Sequence, residues 1–137
     1  MAWAGSGKSE YGYGSAVAFS PNGDILASAH ESTVMLVDVT SKNTIQNFHV
    51  DFYVQSLSFT SDAQFLLIGM ESLLPNTPAT VVYELIDGQY IRSMHTENGI
   101  NVNRISISPD DNLFATETEE GDIAEWHINI AYVRAVK

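Results

Sequence analysis

Apolar and polar residues alternate in short bursts along this chain, and one burst occurs three times: Val17-Ala18-Phe19-Ser20-Pro21-Asn22-Gly23, Leu57-Ser58-Phe59-Thr60-Ser61-Asp62-Ala63 and Ile105-Ser106-Ile107-Ser108-Pro109-Asp110-Asp111. The pairs Val17 and Phe19, Leu57 and Phe59, Ile105 and Ile107 share one side of an extended strand and are expected to point inward, with Ala18, Ser58 and Ser106 on the other side. Each burst ends in a turn sequence, where Pro presets φ and Asn or Asp bonds the local backbone. A second strand follows at Ile25-Leu26-Ala27-Ser28-Ala29, Phe65-Leu66-Leu67-Ile68-Gly69 and Leu113-Phe114-Ala115-Thr116; its near-continuous apolar character predicts cover on both faces. A third is predicted at Val34–Asp38, Val81–Glu84 and Ile123–His127, and a fourth at Thr44–His49, Gln89–Met94 and Ala131–Val136. No window carries a sustained 3.6-residue apolar period between caps, so twelve strands and no helix of consequence are expected.

The copies step by 40 residues from Phe19 to Phe59 and by 48 from Phe59 to Ile107, a spacing that marks a repeat architecture. The longer step has a visible source. Ser72-Leu73-Leu74-Pro75-Asn76-Thr77-Pro78-Ala79-Thr80 holds two prolines that cannot continue a paired strand, and reads as an inserted loop. Four short antiparallel strands per repeat, the second covered on both sides, describe sheets stacked face to face around an axis.

These residues resemble the WD40-type β-propeller family. The likeness is carried by Val17-Ala18-Phe19-Ser20-Pro21-Asn22-Gly23, Ile25-Leu26-Ala27-Ser28, and the third-strand ends Val37-Asp38, Tyr83-Glu84 and Trp126-His127, which stand where that family places its Trp-Asp pair. It runs from about residue 15 to 136. No copy has the full Trp-Asp dipeptide, and the Gly-His pair before the first strand is absent, so these blades are expected to rely on apolar packing. The resemblance implies an all-β fold of three four-stranded antiparallel blades in residues 15–137, behind a flexible leader at 1–14. Closed propellers usually have about four to eight blades. Three blades leave end faces uncovered, so the ring is expected to be completed by a second chain, a homodimer in which blade 1 of each copy packs on blade 3 of the other. A piece of a longer propeller is the other reading.

Composition narrows the partners. Six Lys and Arg against 17 Asp and Glu give a formal charge of −11, which repels phosphate backbones and anionic lipid surfaces, so neither nucleic acid nor membrane is expected. No apolar run approaches the roughly 18 residues that span a bilayer. The chain has no cysteine, which excludes disulfides and thiolate metal sites and leaves the compartment open.

Candidate chemistry is sparse. Ala2-Trp3-Ala4-Gly5-Ser6-Gly7-Lys8-Ser9 fits a relaxed phosphate-loop pattern, but no buried strand precedes it and no helix follows, so it reads as leader. His30, His49, His95 and His127 share no spacing, and there is no Gly-x-Ser-x-Gly elbow. No catalytic, cofactor or metal residues are assigned. Glu31, Glu71 and Glu119 occupy the same place in all three copies, which predicts a circle of carboxylates on one face of the disk; it is a site for a basic partner, a site for a divalent cation, or the solvated acid of soluble turns. Leu73 and Leu74 sit in the inserted loop on that same face, where adjacent large apolar residues pack on something. The expected function, implied by the resemblance, is a non-catalytic protein-interaction scaffold that binds a protein or basic peptide through Glu31, Glu71, Glu119, Leu73 and Leu74. A metal- or quinone-dependent propeller enzyme of the lactonase or dehydrogenase kind is the alternative.

Overall fold

The computed structural model describes residues 15–71, 79–96, 102–118 and 121–128. Their eleven strands form three antiparallel sheets in chain order. Blade 1 holds β1 (Ser15–Phe19), β2 (Ile25–His30), β3 (Thr33–Asp38) and β4 (Thr44–His49). Blade 2 holds β5 (Tyr53–Phe59), β6 (Phe65–Glu71), β7 (Thr80–Ile86) and β8 (Gln89–His95). In blade 3, β9 (Val102–Ile107), β10 (Leu113–Thr118) and β11 (Ile123–His127) are described. The strand expected at Ala131–Val136, the leader at 1–14 and most of the inserted loop lie outside the described residues.

The repeated burst owes its form to one turn built three times. The hydroxyl at the end of the first strand donates to the Asx side chain two residues on, at 2.8 Å from Ser20 to Asn22, 2.7 Å from Thr60 to Asp62 and 2.7 Å from Ser108 to Asp110. The same hydroxyl accepts the first amide of the next strand, from Ile25, Phe65 and Leu113 at 3.0, 3.1 and 3.0 Å. The Asx oxygen takes the amide of Asp24, Gln64 or Asn112 at 3.0, 2.9 and 3.0 Å. Because the chain must then reverse, the next position has positive φ, at Gly23 (80°), Ala63 (61°) and Asp111 (62°). Only the first copy gives that position to glycine, which takes it without steric cost.

Packing is face to face. Inner strand β1 lies against β5 and β5 against β9, so the sheets fan outward from these three. Between blades 1 and 2, Ala27, Ala29, Val34 and Leu36 meet Leu57, Phe59, Leu66, Ile68, Met70 and Tyr83. Between blades 2 and 3, Phe65, Leu67 and Val82 meet Ile105, Ile107, Phe114 and Trp126. Strand β6 feeds both clusters and is buried at every residue from Phe65 to Met70, as its apolar run predicts. Strands β2 and β10 lie in end blades and are covered less completely.

Aromatic and polar contacts lock the joints. Phe48 stacks on Tyr83 at 4.4 Å, and Gln46 crosses to the Tyr90 backbone through two bonds of 2.8 and 3.0 Å. Burial raises the Tyr90 phenol above 10.0, and its hydroxyl donates to the Ala63 carbonyl at 2.5 Å. Val37, Tyr83 and Trp126, the positions that align with the family tryptophan, are all buried. Trp126 donates its indole N–H to the buried Thr116 hydroxyl at 3.1 Å, so blade 3 adds a buried hydrogen bond to its apolar packing. Blades 2 and 3 are also clasped at the turns, where the Asp111 carboxylate accepts the Ser61 amide at 3.0 and 3.1 Å and the Ser61 hydroxyl.

Candidate functional site

Two of the three aligned carboxylates, Glu31 and Glu71, fall among the described residues. Glu31 lies in the β2–β3 turn at φ 56° and Glu71 ends β6. They are neighbours across the joint: the Glu31 carbonyl accepts the Val54 amide at 2.8 Å, and the adjacent Tyr53 pairs with Glu71. Both are half-buried. Glu119, Leu73 and Leu74 lie outside the described residues. Thr33 and the His49 imidazole share a hydrogen bond at 3.1 Å, and His95 contacts the Thr96 carbonyl at 3.0 Å. Among the described residues, no cluster of three or more His, Asp or Glu could hold a metal ion, and no helix is long and apolar enough to cross a membrane.

The sequence reading missed the larger feature, an asymmetry between the two end faces. Each blade has a front, carrying the first-strand apolar pair, and a back. The pairs do share one side in all three copies, but inward holds for only two of them. Leu57 and Phe59 are 8% and 9% exposed because blade 1 covers them, and Ile105 and Ile107 pack against blade 2. Val17 and Phe19 are 71% and 62% exposed, since no described blade stands before blade 1. Their face continues across the register into Leu26, Ser28, Met35 and Val37.

The back of blade 3 differs in kind. Three matched rungs define a back: Ala16 pairs Ala29 in blade 1, Ser56 pairs Gly69 in blade 2, and Arg104 pairs Glu117 in blade 3. One rung along, Leu36 and Val82 of the buried joints correspond to the exposed Glu125. Arg104 Nε and Glu117 Oε1 lie 3.5 Å apart, their side chains 82% and 40% exposed. A groove of about 380 Å³ opens between the inner strands of blades 2 and 3, but the Ser61, Ser108 and Asp111 side chains along it are engaged in the turn bonds described above.

Comparison with known proteins matches these features to one architecture. Residues 15–38, the first three strands of blade 1, match the family described as WD domain, G-beta repeat. No curated protein matches the sequence. Among solved structures, Saccharomyces cerevisiae Sqt1 is similar at 17% identity and TM-score 0.75, over 89% of this chain and 34% of that one. The Swd1 β-propeller domain of Myceliophteria thermophila is similar at 21% identity and TM-score 0.73, over 89% of this chain and 38% of that one. Kuenenia stuttgartiensis hydrazine synthase is similar at 19% identity and TM-score 0.73, over 89% and 35%. The chain thus spans about a third of the length of the structures it matches. Residues 15–38 match the WD40 repeat model and the described sheets share the fold of β-propeller proteins, so the chain is an all-β array of propeller-type blades whose first repeat is WD40-like.

Proposed function

We propose that the chain is a non-catalytic protein-interaction module of the WD40-like propeller type that associates with itself through the open face of blade 1. The observation that carries this is the contrast between Val17 and Phe19, 71% and 62% exposed, and their equivalents Leu57 and Phe59, 8% and 9% exposed under a neighbouring blade. Two adjacent large apolar side chains on an uncharged sheet face gain most by meeting another surface. The WD40-type fold suits such a role, since its rigid stacked sheets present loops and edges without needing to move. The alternative, a metal- or quinone-dependent enzyme of the lactonase or dehydrogenase kind, is supported only by fold likeness to solved structures such as putative 6-phosphogluconolactonases and hydrazine synthase.

A basic partner would meet Glu31 and Glu71, and the repeat alignment of the sequence adds Glu119 and the inserted-loop Leu73 and Leu74 to this proposed site. Light scattering at micromolar concentration tests self-association: a mass near twice 15.0 kDa supports it, and a constant 15.0 kDa overturns it. Titration of an arginine-rich peptide against the Glu31→Gln, Glu71→Gln double variant tests this site. Weaker, less salt-sensitive binding is expected, and unchanged binding removes these residues from the site.

A further inference from the structure

We infer that self-association, if it follows the reading above, joins two copies front to front through blade 1 about a twofold axis and leaves the back of blade 3 in solvent. The alternative is the closed six-blade ring, in which blade 1 of each copy docks on blade 3 of the other. That ring needs the back of blade 3 to act as the backs of blades 1 and 2 do, and three observations weigh against it.

The first is room. Gly69 lies on the back of blade 2 so close to blade 3 that an added Cβ would stand 2.6 Å from Ser56 Oγ, 2.8 Å from Val102 Cγ1 and 3.2 Å from Ile105 Cδ1. The joint between blades 2 and 3 therefore has no space beyond glycine here without a shift of its neighbours, and the joint between blades 1 and 2 holds only Ala29 at the equivalent place. Blade 3 puts Glu117 at this rung.

The second is charge. Docking a blade front here would strip water from the Arg104–Glu117 pair and from Glu125, where the formed joints hold Ala16 or Ser56, Ala29 or Gly69, and Leu36 or Val82. Desolvating an ion is strongly unfavourable unless the partner supplies matched bonds. The described strands of blade 1 offer none from Asp, Glu, Lys or Arg on their front. Polar outer faces are what terminal repeats of a stacked array carry.

The third concerns the occupant. In a twofold joint a side chain near the axis faces its own copy, so a fixed charge there opposes a like charge. On a chain with formal charge −11, the open part of the blade 1 front, Val17 and Phe19 with the half-buried Ser28 and Met35 beside them, can meet its own copy without that penalty, while Leu26 and Val37 on the same face are already buried. The surface also continues the joints already formed, since it holds the same rungs that blades 2 and 3 bury. An isologous contact closes on itself, giving a dimer with two charged, soluble ends.

Because the sequence holds no cysteine, single introduced thiols report the joint directly. Four single variants, Val17→Cys, Ser28→Cys, Met35→Cys and Ser106→Cys, are treated with a short bis-maleimide and run on denaturing gels, with light scattering on each. Val17 and Ser28 lie on the front of blade 1 and Ser106 on the back of blade 3. The expected result is a dimer mass, with at least one front variant cross-linked to itself and the mixture of Val17→Cys with Ser106→Cys giving no additional product. Phe19→Glu is expected to weaken association by at least about tenfold, and Arg104→Glu to leave it unchanged. A dimer whose cross-link appears only in the mixed sample establishes the front-to-back ring and overturns the inference while self-association stands. A dimer cross-linked by neither arrangement also overturns it. A mass of 15.0 kDa throughout removes self-association and this inference with it.

Discussion

Replacing Gly69 by alanine probes the tightest point of the array. Alanine should favour an extended strand over glycine by roughly 0.5–1 kcal/mol, because the unfolded chain loses freedom. Against this, the new methyl would stand 2.6 Å from Ser56 Oγ and 2.8 Å from Val102 Cγ1, both well inside van der Waals contact. Ser56 Oγ can rotate, having no hydrogen-bond partner among the described residues. Val102 cannot escape so easily: it is β-branched, 4% exposed and fixed on β9. Overpacking of this kind costs about 1–3 kcal/mol, so the net loss is expected at about 1–2 kcal/mol. For a chain of 137 residues this corresponds to a fall in Tm of about 3–7 °C. Urea titration followed by tryptophan fluorescence reads it, since Trp126 lies in the same joint. A Gly69→Ala chain as stable as the parent would show that the joint has slack, and would remove the steric reason for excluding Glu117 from it.

Further outcomes follow from other contacts. Trp126→Phe keeps an aromatic ring beside Phe114 but strands the buried Thr116 hydroxyl, and a loss of about 1–2 kcal/mol is expected. Adding Thr116→Val should recover part of it in a double-mutant cycle; simple additivity refutes the bond. Asp111→Gly suits the φ of 62° and so isolates the Ser61 clasp, which is exposed and worth about 0.5–1 kcal/mol; an unchanged urea midpoint discards the clasp. In acid, Asp62 is held below its ordinary 3.8 by the Gln64 amide and the Thr60 hydroxyl, and Asp110 likewise by the Ser108 hydroxyl and the Asn112 amide. A lowered folded-state pKa gives stability that is present above the unfolded value and lost as pH falls through the folded one, so the turns should weaken from about pH 4 downward. Thermal melts of the Asp62→Asn, Asp110→Asn double variant should show a shallower acid decline, and an identical slope refutes the assignment.

Much of the fold could be read from local pattern. The hydroxyl-x-Asx turn is a contact within six residues, so Ser20-Pro21-Asn22 and its two echoes carry it in the sequence, and strand periodicity located all eleven described strands. The repeat aligned Glu31 with Glu71, but that Glu31 lies in a turn at positive φ, its carbonyl reaching across the joint to Val54, while Glu71 ends a strand, was not legible.

The sequence by itself determined the strands, the turns and which side chains share a face, because these depend on neighbours two to six positions away. Which faces are covered was left to the tertiary structure, because burial depends on what stands opposite. Val17 and Phe19 read as core by the same alternation as Leu57 and Phe59, yet are exposed because blade 1 has no described sheet before it. Nothing in the local sequence marks Arg104, Glu117 and Glu125 as occupants of one sheet face; the pairing that aligns them with Ser56, Gly69 and Val82 does. Only the stacking of whole sheets tells an end face from a joint.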